Sequence, residues 1–192
     1  MSFADHRKKV LEAMEDASLA IVYAGQETHA NEDQYLNFVA NSQFYWLTGL
    51  DRAGMILLLS KINGVCDSVL FIDSFDPHTE RWTGKMPTKE QVIPISGIEN
   101  VRYTNEFDGA LNRILSRNDI QNVYFDTYKY SGSDLPTWNE AKAADFLKSY
   151  PAIRMRDLHA VAAKFRVIKD EEEIEMIRQA IGITKKGVEF IL

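Results

Sequence analysis

Apolar positions along this chain change period several times, and each change marks an element. Phe3, Val10, Leu11 and Met14 recur at helical spacing through a polar stretch, which predicts a short amphipathic helix whose polar face needs no functional explanation. The compact apolar run 19–23 reads as a buried strand, and a polar loop follows over 24–34. Strand signals return at the aromatic-rich run 44–47, the aliphatic run 55–59 and the run 68–72. Asn63-Gly64 lies between the last two and favours a tight hairpin turn. Together these segments predict a β-meander.

The stretch 73–96 holds three of the five prolines, so it is expected to be a long loop with at most a short helix near 88–91. Beyond it, Phe107, Leu111, Ile114 and Leu115 mark an amphipathic helix, 123–125 a strand and 138–147 another helix. Strands separated by helices need crossover connections, whereas hairpin-linked strands pair antiparallel. The expected fold is therefore α/β, with a mixed β-sheet flanked by helices.

Near the end, Asp170, Glu171, Glu172 and Glu173 gather negative charge where a helix should begin, and Asp170 and Glu173 are spaced as a capping box. Ile174, Ile177, Ile181, Val188 and Ile191 then form an apolar stripe up to Leu192, with no capping Gly or Pro after it. One reading is a terminal helix docked on its own sheet. The other, preferred here, is that the sequence stops inside a longer protein.

Composition narrows the chemistry. Among 192 residues, 22 Lys and Arg stand against 28 Asp and Glu, a net charge of −6, so no positive field gathers nucleic acid or anionic lipid. Cys66 is the single cysteine, which excludes an internal disulfide and a Cys-rich zinc site and suits a reducing cytosol. With a charged start and no apolar run of about 18 residues, the chain is expected to be cytoplasmic, with no membrane partner. His6, His29, His78 and His159 lie far apart, and none has the spacing that puts two metal ligands on one helical face. The glycines make no nucleotide-binding pattern, and the serines lack a nucleophile-elbow context.

Several blocks, taken in order, resemble one family. Asn31-Glu32-Asp33-Gln34-Tyr35 is followed by Asn41-Ser42-Gln43-Phe44-Tyr45-Trp46-Leu47-Thr48-Gly49-Leu50. Ser68-Val69-Leu70-Phe71 leads into Glu80-Arg81-Trp82-Thr83-Gly84, and Arg166-Val167-Ile168-Lys169-Asp170 precedes Glu172-Glu173-Ile174 and Ile177-Arg178. The set resembles the N-terminal domain of Xaa-Pro aminopeptidases of the aminopeptidase P family, a creatinase- and prolidase-like domain.

That resemblance implies a non-catalytic domain over 1–165, then a linker and the first helix of a truncated catalytic domain over 166–192. The complete enzyme would be a metallopeptidase removing an N-terminal residue that precedes proline. Two divalent metal ions, usually manganese, would sit in a pita-bread domain, on two Asp, one His and two Glu beyond Leu192. The resemblance therefore implies no metal cofactor and no catalytic residue in this fragment. Its partners would be its own catalytic domain, further copies in a homo-oligomer and, for the whole enzyme, proline-containing peptides. Trp82 is implied to reach a neighbouring subunit's active site, with Asp33 a second candidate of the same kind. A Trp82 indole that simply caps the nearby sheet is the competing reading.

Relatives commonly carry an Arg and an acid where Val39 and Gln43 stand here, which leaves open a prolidase (Xaa-Pro dipeptidase) or creatinase-like subgroup. A stand-alone binding or scaffold domain is the rival from another class. It would bury the last helix's stripe within its own chain, whereas a severed domain would leave that stripe exposed.

Overall fold

The computed structural model describes residues 3–32, 34–74 and 85–191. Strand β1 (Ser18–Tyr23) pairs antiparallel with β2 (Ile56–Ile62), which pairs antiparallel with β3 (Val65–Ile72). The β2–β3 turn is Asn63-Gly64, with φ of 53° and 75°, the left-handed pair that a two-residue hairpin needs. Parallel pairs complete the sheet. β4 (Val101–Tyr103) joins β3, β5 (Asn122–Phe125) joins β1, and β6 (Arg154–Asp157) joins β5, giving the order β4-β3-β2-β1-β5-β6. The mixed α/β fold expected from the sequence is thus present.

Both faces of the sheet are covered, which is why its inner strands read as continuous apolar runs. On one face, Ala20, Val22, Leu57, Leu59, Leu70 and Ile72 pack against helices α1 (Phe3–Ala13), α2 (Ser42–Thr48), α3 (Lys89–Ser96) and α6 (Leu158–Arg166). On the other, Leu19, Ile21, Leu58, Phe71, Val123 and Phe125 meet α4 (Phe107–Arg117) and α5 (Trp138–Ser149). The last helix, α7 (Glu171–Ile191), begins with the expected capping box: the Glu173 amide donates to Asp170 Oδ1 at 2.7 Å, and the Asp170 amide to Glu173 Oε2 at 2.9 Å.

The structure corrects the sequence reading in several places. Residues 44–47 are helical, because local capping overrides the aromatic strand preference. Asn41 Oδ1 accepts from the Gln43 and Phe44 amides, and left-handed Gly49 (φ 72°) closes the helix with its amide on the Tyr45 carbonyl. A side chain at Gly49 would also meet the Phe3 ring, 2.3 Å from an ideal Cβ.

Instead of one turn near 88–91, α3 continues through Pro94 to Ser96. A Thr88–Gln91 capping box starts it and left-handed Gly97 ends it, while Val92 is buried. The polar side of α1 is not idle either, since His6 and Arg7 are buried. Strands β4 and β6 are short, and β6 is mostly polar, so neither presents a hydrophobic period to read.

Candidate functional site

Strands β1, β3, β4, β5 and β6 run in one direction and β2 runs against them. Their carboxyl ends therefore share one edge, where open α/β sheets place ligand crevices. In sequence Asp33 follows β1 and Trp82 follows β3, and both lie outside the described residues. Their flanks are described. His29 and Tyr35 bridge as an antiparallel pair with ring centroids 4.2 Å apart. After β3, Asp73 Oδ1 accepts from the Thr104 hydroxyl at 2.8 Å. Arg52 donates to the Lys85 carbonyl at 2.6 Å.

At the same edge, just past β5, a polar cluster joins three elements. The Asn41 amide donates to Asp126 Oδ2 at 2.7 Å while its own oxygen caps α2. Gln43 Nε2 lies 3.0 Å from His159 Nδ1, and that nitrogen is 3.7 Å from Asp126 Oδ1. Tyr128 stacks on the His159 ring at 4.1 Å. Asp126 and Gln43 are buried, and Asp126 Oδ1 and Gln43 Oε1 make no hydrogen bond among the described residues.

Burial raises the Asp126 pKa above the ordinary carboxylate range, against the lowering effects of Asn41 and His159. A carboxyl raised in the folded state adds stability below its unfolded pKa, about 3.9, and loses it as pH rises through the folded value. We therefore expect the stability of the wild type relative to Asp126→Asn to fall as pH rises from about 4. Paired urea titrations across pH measure this. A flat difference would show that Asp126 ionises without a burial penalty.

The α1–α2 contact adds a second polar feature. His6 Nδ1 lies 2.8 Å from the Trp46 carbonyl, and Arg7 donates to the Leu47 carbonyl at 2.7 Å. Both carbonyls are in the last turn of α2, where the helix itself supplies no donors. Burial lowers the Arg7 guanidinium to about 10, so it stays charged at neutral pH. A groove of about 530 Å³ runs between α2 and α7, lined by Tyr45, Trp46, Arg166, Lys169, Met176 and Ile177.

No residue of α7 is buried, and Ile177, Ile181, Val188 and Ile191 are 46%, 60%, 51% and 83% exposed. The predicted stripe exists; its own chain part-covers Ile174 and leaves the remainder exposed.

The pair of metal ions that the resemblance implies can be tested against the donors present. His29 pairs with Tyr35, His159 sits with Tyr128, and His6 stacks on Trp46. Among the described residues, the one group of three or more potential ligands is His6, Asp170 and Glu173. One imidazole and two carboxylates cannot supply two Asp, one His and two Glu. The described residues do not fit that centre.

The family model described as "Aminopeptidase P, N-terminal domain" matches residues 3–124. The Xaa-Pro aminopeptidase of Haemophilus influenzae is 26% identical over 185 residues, covering 96% of this chain and 41% of that protein. A Bacillus anthracis structure assigned to aminopeptidase P superposes with a TM-score of 0.92 at 32% identity, over 97% of this chain and 45% of that one. Escherichia coli aminopeptidase P, solved with the inhibitor Pro-Leu, gives a TM-score of 0.73 at 25% identity, over 93% of this chain and 41% of that one. The chain thus spans less than half the length of these proteins. From its sequence blocks, its mixed sheet and these likenesses, the chain belongs to the aminopeptidase P family, as the N-terminal domain.

Proposed function

We propose that this chain is the accessory domain of a metal-dependent Xaa-Pro aminopeptidase, a cytoplasmic enzyme that removes an N-terminal residue preceding proline. Residues 1–165 form the accessory domain, and 166–192 the linker and first helix of the catalytic domain. The observation that carries this reading is α7: in a chain of this family, it presents an apolar face that its own domain leaves exposed. The catalytic domain, holding two divalent ions, most commonly manganese, would cover that face and supply the chemistry. Homo-oligomer contacts and restricted access to the active site fall to the accessory domain. The exposed stripe disfavours a stand-alone scaffold. Among the described residues, no helix is long and apolar enough to cross a membrane.

In this reading the loop edge walls a substrate channel. Trp82 offers a flat apolar surface to a peptide in a neighbouring subunit, and Asp33 is the second candidate of the same kind. Trp82→Ala in the full-length enzyme is expected to lower kcat/KM, most for longer peptides, while the domain's unfolding free energy stays within about 1 kcal/mol of wild type. A loss of about 3–5 kcal/mol, typical of deleting a buried aromatic, would assign Trp82 to the core instead.

A further inference from the structure

We propose that His6, Asp170 and Glu173 form a zinc site that fastens the start of α7 to α1. The imidazole is 3% exposed and stacked on Trp46 at 4.1 Å, so its orientation is fixed. Only an N–H can pair with a carbonyl, so Nδ1, 2.8 Å from the Trp46 oxygen, carries the proton. The other nitrogen, Nε2, faces Asp170 Oδ2 at 3.7 Å, beyond hydrogen-bond length. In the neutral ring, a bare lone pair then confronts a carboxylate. A cation between them resolves the clash.

The two acids are held in a complementary way. Asp170 Oδ1 and Glu173 Oε2 are taken by the cap of α7, which leaves Asp170 Oδ2 and Glu173 Oε1 outside it. One ligand atom from each of the three residues lies within 4.8 Å of the others. Each residue is thus anchored to the backbone through one polar atom, the outer-shell arrangement that orients metal ligands.

An imidazole nitrogen with two carboxylate oxygens is a zinc donor set, and three protein ligands leave a fourth position for water. Bonds of about 2.1 Å at tetrahedral angles put ligand atoms about 3.4 Å apart, close to the 3.7 Å between His6 and Asp170. Magnesium and calcium favour oxygen-only sets. The helix start adds roughly half a positive charge, which the ligand carboxylates, with Glu171 and Glu172 in the same turn, outweigh. Because α7 buries no residue, a tie at its first turn has strong leverage on its direction. The site is structural and performs no turnover.

The test is equilibrium dialysis of the metal-stripped chain against zinc, with thermal melts in its presence and absence. Wild type should take up one zinc per chain and melt higher with zinc present. Asp170→Asn and Glu173→Gln keep their capping oxygens, so both should fold normally without metal. Each should bind zinc at least about tenfold more weakly, a loss that even outer-shell partners produce. No uptake by folded wild type would overturn the proposal, leaving an ion pair closed by a proton. Equal uptake by both variants would also overturn it, placing the zinc on other side chains.

Discussion

Phe44→Ala is expected to destabilise the chain by about 3–5 kcal/mol, the range for removing a fully buried aromatic ring. Phe44 is 0% exposed at the centre of the core between α2 and the sheet, among Leu47, Leu57 and Leu70. The cavity left behind would adjoin strand side chains that cannot collapse into it without disturbing the pairing of β1 with β2. In a chain of this size each kcal/mol moves the melting temperature by about 2–4 °C, so a fall of roughly 6–20 °C should accompany the loss. Urea unfolding with an unchanged m-value would attribute the effect to the native core. A loss below about 1 kcal/mol would mean that the site repacks and that the α2 core is looser than its burial implies.

The second large effect belongs to Asn41, whose side chain does two jobs at once. Its oxygen caps α2 on the Gln43 and Phe44 amides, and its amide donates to buried Asp126. Loss of such a cap costs about 1 kcal/mol, and loss of a hydrogen bond to a charged group about 1.5–3 kcal/mol. Asn41→Ala should therefore cost about 2–4 kcal/mol at neutral pH. Two further variants separate the parts. Asn41→Asp keeps the cap but sets a second carboxylate against Asp126, so its deficit should shrink on acidification. Adding Asp126→Asn to Asn41→Ala removes the stranded charge and should restore stability toward the cost of the cap alone. If both variants behave like Asn41→Ala at every pH, the Asn41–Asp126 bond contributes nothing and the cap explains the whole effect.

Much of the fold was legible because local pattern and tertiary environment agree. The runs 19–23 and 55–59 are apolar on both sides because helices cover both faces of β1 and β2. Asn63-Gly64 demanded its turn, and Asp170 with Glu173 announced the start of α7. The run 44–47 misled because its aromatics suit a strand equally well, while the decisive information lay outside it, in Asn41 and Gly49.

The polar sites were hidden by sequence distance. Asn41 and Asp126 are 85 positions apart, and Gln43 and His159 are 116 apart. His6 and Asp170 come from opposite ends of the chain. A spacing rule for metal ligands reads one helical face, and these residues meet only after the sheet has folded. His6 and Arg7 did leave one signal, two adjacent polar residues within the apolar period of α1. Their burial depends on α2 being a helix with unpaired terminal carbonyls, which the sequence reading had as a strand.

The division of labour between this domain and a catalytic domain is tested most directly by incubating the chain with excess manganese and an Xaa-Pro peptide and following release of the N-terminal residue. On the proposed reading the catalytic metal ions belong to the catalytic domain, so no hydrolysis above the rate of metal alone is expected, even if zinc occupies the His6 site. Turnover that requires the protein and disappears in His6→Ala or His159→Ala would contradict the account, because it would place the catalytic chemistry within these residues.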